Sequence, residues 1–239
     1  MGPTQVVAVV LAAGRSSRLP GEVPKPFLTL GGRPMLDHSL AAFADAPAID
    51  AIVVAVPPDR RDELEPDLLA KPKVRAVTAG GAARQDSLSL ALTAVGPQAE
   101  VVVIHDAARP NVTATMVGAV VAGVGDGYDG ALIAIPLDDA VKEVAETGEV
   151  LGPRSRAGLW RAQTPQAFRR PCLEDALNRA LAGGVVCDDC SEMATRAGYR
   201  VRVVLGDPRN LKVTRPSDLE LCEQLLAGSA AGAWRTTGN

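Results

Sequence analysis

Short runs of uninterrupted apolar residues set the rhythm of the chain, at 6–11, 52–56, 101–104 and 131–135. Each is rich in β-branched side chains, and none shows the apolar–polar alternation of a half-exposed strand. That pattern predicts central parallel strands covered on both faces. Helical periodicity fills the gaps, at 35–43, 59–69, 87–95 and 113–124. Pro34 stands at a good first helical position, Pro66 interrupts the second segment, and Thr113 is a candidate N-cap. Strands alternating with helices predict an α/β fold: a Rossmann-like, mostly parallel sheet with helices on both faces and right-handed crossovers.

Residues 138–156 break this rhythm. Val141 to Val144, a Thr147-Gly148 turn and Val150-Leu151 predict a β-hairpin that projects from the domain as an arm. Beyond it the pattern predicts helices at 172–181, 191–197 and 217–226, a strand at 200–205, and a short strand around 210–214. The whole of 1–226 is expected to form one domain. The tail 227–239, rich in Ala, Gly, Ser and Thr, is expected to be flexible.

Composition narrows the function. The chain has 239 residues, a formal charge of −3 and only 3% aromatic residues. With no global basic field and few rings for base stacking, nucleic-acid binding is disfavoured. No apolar run approaches the ~18 residues of a membrane span, and the N-terminus lacks the marks of a secretory signal. A cytoplasmic protein is expected. Cys172, Cys187, Cys190 and Cys222 are then read as reduced thiols. The single C-x-x-C at Cys187 and Cys190, without a second pair or nearby histidines, is weak evidence for zinc, and no protein-held metal is expected.

The most informative chemistry follows the first strand. Ala12, Ala13 and Gly14 have little or no side chain, so their N–H groups can approach a phosphate closely. Arg15 and Arg18 add charge, and Lys25 is held between Pro24 and Pro26 as a defined point charge. The spacing matches neither G-x-G-x-x-G nor the P-loop, which disfavours a dehydrogenase or a P-loop kinase. Other strand ends are also marked. Gly80-Gly81-Ala82 precedes Arg84 and Ser87, where Ser87 either caps a helix or bonds a base edge, and Arg84 either faces solvent or joins the site. His105-Asp106-Ala107-Ala108-Arg109-Pro110 follows the most apolar strand. His105 is read as a hydrogen-bonded core residue, Asp106 as a partner for a ribose hydroxyl, a metal or an acceptor hydroxyl, and Arg109 as a phosphate clamp, with a local salt bridge as the plainer alternative for Asp106 and Arg109. Lys212, taken alone, reads better as a surface lysine; a buried lysine there would need a partner, and a polyanion would serve. Asp138-Asp139 and Asp188-Asp189 are adjacent pairs, unlike the Asp-x-Asp metal site of a glycosyltransferase.

Together these segments resemble the 2-C-methyl-D-erythritol 4-phosphate cytidylyltransferase family: A-A-G-x-x-x-R with P-K at 12–25, G-G with R-x-D-S at 80–87, H-D-A-A-R-P at 105–110, R-x-G-L-W-x-x-Q-T-P-Q-x-F at 156–168 and N-L-K-V-T-R-P-S-D-L at 210–219. They span nearly the whole chain in the family's order. The resemblance implies a nucleotidyltransferase sheet, similar to that of GT-A glycosyltransferases, a homodimer joined through the arm, and a Mg²⁺-dependent transfer of CMP from CTP to a polyol phosphate. Ala12 to Arg18 would cradle the triphosphate. Arg18, Lys25 and Lys212 would neutralise charge at the α-phosphorus. Gly81, Ala82 and Ser87 would read cytosine. Asp106, Arg109 and Thr164 would face the acceptor, with Asp106 also within reach of the nucleotide, and Arg156 would reach the acceptor phosphate of the other subunit. Ala140 stands where the family usually has Thr, which leaves another polyol phosphate or a phosphonate open as acceptor. Ala82 likewise replaces a commoner Asp. A CTP-binding module without catalysis is the reading from a different class.

Overall fold

The structure, a computed structural model, describes residues 5–14 and 24–230. Its central strands are β1 (Gln5–Leu11), β4 (Ala51–Val56), β5 (Val74–Ala79), β6 (Ala99–Asp106), β7 (Gly130–Pro136), β10 (Trp160–Arg169) and β11 (Val201–Leu205). They form one seven-stranded sheet in the order β11-β7-β10-β6-β1-β4-β5. The ladders β6–β1, β1–β4, β4–β5 and β11–β7 are parallel, whereas β10 runs antiparallel between β6 and β7. The apolar runs therefore form the parallel core as expected. The antiparallel β10 is the element the apolar pattern does not mark, because Gln163, Thr164 and Gln166 interrupt it with polar side chains. All three are buried.

Helices cover both faces. One core layer joins α1 (Met35–Asp45) and α4 (Ala114–Ala122) to the sheet through Leu40, Phe43, Val117 and Val120. The other joins α3 (Arg84–Leu92), α5 (Arg170–Ala182) and α6 (Cys190–Arg196) through Leu88, Leu173, Leu177 and Met193. Residues along β1 alternate between the two layers: Val6, Ala8 and Val10 face the first, Val7 and Val9 the second. Aliphatic packing of this kind explains how a chain with so few aromatics closes its interior. A third cluster, Leu30, Met35, Val213 and Cys222, is built by the minor hairpin of β2 (Thr29–Leu30) and β3 (Arg33–Pro34) together with the last helix, α7 (Pro216–Ala230).

Several boundaries differ from expectation for physical reasons. Helix α3 starts at Arg84 rather than at residue 87, because the Asp86 carboxylate accepts from the Ala83 N–H at 2.9 Å and caps the turn. Helix α2 (Arg61–Leu69) carries Pro66 in its interior and is preceded by a 3₁₀ turn at Pro58–Arg60. Residues 210–214 form no strand. They run as a loop tied to the end of β6 by the Val213 N–H on the Ala108 carbonyl at 2.8 Å. Helix α7 continues to Ala230, so the described part of the tail is helical, and 231–239 lie outside the described residues.

The arm forms where it was expected. Strands β8 (Val141–Val144) and β9 (Val150–Arg154) pair antiparallel as a separate two-stranded sheet. Gly148, with φ of +87°, makes a turn that glycine adopts without strain. Val150 and Leu151 are each 60% exposed and Val144 is 51% exposed, so the arm carries apolar surface that its own domain leaves uncovered.

Candidate active site

Parallel strands end on one edge, and the marked loops gather there. The Ala12 N–H bonds the Ala55 carbonyl at 2.7 Å, the Ala107 N–H bonds the Leu11 carbonyl at 3.0 Å, and the Gly80 N–H bonds the Val56 carbonyl at 2.8 Å. These contacts lash the segments after β1, β5 and β6 to the ends of their neighbours. A Cβ on Gly80 would fall 2.0 Å from the Ala13 side chain, and one on Gly81 would fall 2.3 Å from Asp86. Glycine at 80 lets this loop touch the loop after β1, and glycine at 81 lets the turn close onto the first turn of α3. Ala12 and Ala13 are buried, whereas Gly14 is exposed with open space around it. Arg15 and Arg18 lie outside the described residues.

At the end of β6, Asp106 carries the centre's electrostatics. The Arg84 Nε donates to its Oδ1 at 3.1 Å, and the Lys212 Nζ donates to its Oδ2 at 2.8 Å. Burial alone would raise this carboxyl, but the Arg84 and Lys212 charges overcome it and hold the group well below the usual carboxylate range. Residues 84, 106 and 212, remote in sequence, thus meet at one carboxylate. Lys25 sits in a 3₁₀ turn, Lys25–Phe27. The segment that follows it, through Leu28 and Leu30, packs with Leu211 and Val213 on either side of Lys212. Two of the three expected cations are therefore carried by segments that share one small core.

His105 behaves as the core histidine the sequence suggests. It is fully buried, its ring lies 5.1 Å from that of Phe43, and burial pushes its pKa down to about 3. Its Nε2 lies 3.2 Å from the Arg109 carbonyl, which can only accept, so the proton sits on Nε2. Nδ1 must then accept from the Thr164 hydroxyl at 3.1 Å. The same hydroxyl accepts from the Asp106 N–H at 3.1 Å. A neutral imidazole thus fixes Thr164, and Thr164 fixes the backbone of Asp106. Thr164 is buried, so it supports the floor of the site. It precedes a cis peptide bond to Pro165.

Arg109 is placed beside this group, but its terminal nitrogens are engaged. Nη1 donates to the Asn210 carbonyl at 2.8 Å and Nη2 to the Ala162 carbonyl at 3.2 Å. Neither a salt bridge nor an open phosphate clamp describes that geometry; Arg109 is a strut joining β6, β10 and the Lys212 loop. Its Nε is buried without a partner. Ser87 also has its hydroxyl committed, donating to the Ala83 carbonyl and accepting from the Gly81 N–H, both at 3.0 Å. It shapes the Gly-Gly loop from inside the first turn of α3, while Gly81 is half-buried and Ala82 exposed at the loop's rim. Arg156 and Ala140 are exposed at the base of the arm.

Three further residues hold the site together. In the sequence Arg84 is balanced between solvent and site, and the structure turns it inward onto Asp106. Asn210, fully buried, donates to the Thr164 carbonyl at 3.0 Å and to Gln163 Oε1 at 3.3 Å, aligning the loop that carries Lys212. Gln166 donates to Asp189 at 3.1 Å and accepts from the Ser191 N–H, pinning the start of α6. Their signal is polarity inside otherwise buried segments, which becomes informative only once β10 is recognised as a central strand. Cys187 and Cys190 are buried free thiols, and among the described residues no group of three His, Cys, Asp or Glu side chains is placed to hold a metal ion.

Two lysine-bearing segments and a cation-paired aspartate on the carboxyl edge of an α/β sheet fit the nucleotidyltransferase class. The chain belongs to the 2-C-methyl-D-erythritol 4-phosphate cytidylyltransferase family, whose model matches residues 6–228. It is 38% identical over 226 residues to the enzyme of that name from Symbiobacterium thermophilum, covering 94% of both chains. It is 43% identical over 223 residues to that from Frankia casuarinae, covering 93% of this chain and 82% of the relative. The crystal structure of the Thermus thermophilus enzyme superposes with a TM-score of 0.76 at 31% identity, over 94% of this chain and 100% of that one.

Proposed function

We propose that the chain transfers CMP from CTP to 2-C-methyl-D-erythritol 4-phosphate, forming the cytidine diphosphate alcohol and releasing pyrophosphate. The match of the family model along nearly the whole chain carries this reading, and it favours that acceptor over another polyol phosphate or a phosphonate. A phosphate monoester is an anion at neutral pH, with a second pKa of about 6, so no strong base is needed. One of its oxygens attacks the α-phosphorus, a new P–O bond forms, and the bond to the bridging oxygen breaks in line. What the protein supplies is position and positive charge.

The division of labour follows the edge of the sheet. Ala13, Gly14 and Arg15 hold the triphosphate, Ala12 shapes that loop because its own N–H is committed to the Ala55 carbonyl, and the rim at Gly81 and Ala82, shaped by Ser87, meets the base. Arg18, Lys25 and Lys212 neutralise charge at the α-phosphorus. Asp106 meets a substrate hydroxyl, with Thr164 and Arg109 holding its surroundings. In the unliganded chain both oxygens of Asp106 are held by cations, Arg84 and Lys212. Magnesium enters as the CTP complex, held by triphosphate oxygens, and is part of the substrate. The exposed apolar arm supports a homodimer, with Arg156 of one subunit reaching the acceptor phosphate in the other. No described helix is long and apolar enough to cross a membrane; the substrates are small soluble anions, consistent with a cytoplasmic enzyme.

The test is a panel of methylerythritol phosphate, ribitol phosphate and a phosphonate alcohol, each with the four nucleoside triphosphates, assayed for pyrophosphate release. Turnover is expected with CTP and methylerythritol phosphate. Preference for a different acceptor would replace the substrate assignment, and CTP binding without turnover on any acceptor would make the chain a binding module.

A further inference from the structure

Arg84 is joined to more of the site than any role in the Gly-Gly loop requires. Its Nη2 is shut off from solvent. Nε donates to Asp106 Oδ1 at 3.1 Å, Nη2 lies 3.1 Å from the same oxygen, and Nη1 donates to the Cys190 Sγ at 3.3 Å. Burial pushes the Cys190 thiol up, so it stays protonated and its sulfur is available as an acceptor. Three elements converge on this one fork: α3 supplies it, β6 supplies the carboxylate and α6 supplies the sulfur.

The two oxygens of Asp106 are not equivalent. Oδ1 faces an enclosed, planar cation whose far nitrogen is anchored on α6, so the fork has no freedom to swing away. Oδ2 faces Lys212, whose side chain is 43% exposed and flexible. A lysine can leave for an arriving phosphate; a guanidinium fixed at both ends cannot.

We propose that Arg84 is a positioning residue for the transfer reaction, holding Oδ1 of Asp106 so that Oδ2 is presented to the substrate hydroxyl when Lys212 moves from it to the α-phosphate. This rests on the assignment of Asp106 to a substrate hydroxyl given above. Lys212 then has two stations, Asp106 in the free enzyme and the phosphate in the complex, and Arg84 keeps the carboxylate charged and oriented in both. Cys190 takes part by locking the plane of the fork.

The experiment is a double-mutant cycle on kcat/KM for methylerythritol phosphate, with the KM for CTP followed alongside. Arg84→Gln is expected to lower kcat/KM by ~10²-fold, the size of a misplaced catalytic contact, with the KM for CTP changed by less than about threefold. In an Asp106→Asn background the same substitution is expected to cost less than about twofold, because Arg84 acts only through that carboxylate. Arg84→Lys keeps the charge but not the fork, and should recover only part of the loss. It also serves if Arg84→Gln fails to fold. Equal losses in both backgrounds, a rise in both KM values together, or full activity in Arg84→Lys would overturn the proposal. Near-normal turnover by Asp106→Asn alone would instead reject the role of Asp106.

Discussion

At the scale of single residues, charge and burial set what each side chain can do. Lys25 and Lys212 are expected to act on charge that develops during transfer. Lys25→Ala and Lys212→Ala should each lower kcat by ~10²-fold or more while circular dichroism and melting behaviour stay close to wild type. Turnover within about threefold of wild type would remove that lysine from the chemistry. His105 makes a different prediction. Its folded pKa of about 3 lies below the ordinary value of 6.5, so the unfolded chain binds the extra proton first. The stability it contributes is full above about pH 6.5 and is lost as pH falls toward 3. His38, also lowered by burial, acts in the same direction. Urea unfolding should therefore weaken from pH 6.5 downward, with His105 contributing up to about 1.4 kcal/mol per pH unit. His105→Gln should flatten that slope, and an unchanged slope would show that the imidazole is not held neutral.

At the scale of elements, the site depends on loops that touch without side chains between them. Gly80 meets Ala13 closely enough that a single methyl would displace one loop from the other. Gly80→Ala is expected to destabilise by about 1–3 kcal/mol, as overpacking does, and to raise the KM for CTP. Isothermal titration with CTP and thermal melts would check both effects, and an unchanged CTP affinity would mean that the two loops move independently. Strand β10 shows a second dependence. Its register shifts between Ala162 and Gln166, so the Gln-Thr-Pro-Gln segment departs from regular pairing with β7 while staying inside the sheet. There Thr164 can meet His105 and Asp106, and Gln163 and Gln166 can hold the 207–210 loop and α6. Those polar residues hide the strand from the hydrophobic pattern, and they are also why the strand matters to the site.

At the scale of the whole molecule, the arm forms its own small sheet and presents Val144, Val150 and Leu151 to solvent. A lone two-stranded hairpin is marginal in water, and apolar residues on it call for a covering surface. The proposed homodimer predicts that replacing Val150 and Leu151 with Asp shifts sedimentation velocity from a dimer to a monomer. The replacement should also lower kcat/KM for the acceptor, since Arg156 would lose its partner's site. A wild-type sedimentation profile would place the dimer contact elsewhere. The arm connects β7 to β10, the central strand that carries Thr164.

The sequence alone determined the parallel core, because fully buried strands need continuous apolar runs. It marked a candidate phosphate loop by small residues followed by cations, and it determined the hairpin of the arm through its turn and the short strands on either side. It also supplied the family through motifs in order along the chain. Only the tertiary structure decided the neighbours of each charge. Whether Arg84 faces water or Asp106, whether Arg109 is a clamp or a strut, and whether Ser87 is free or committed all depend on contacts across 4 to 106 positions of chain. Local pattern reports what a residue prefers to be near, whereas electrostatics and hydrogen bonding depend on the groups that folding puts within about 3 Å of it.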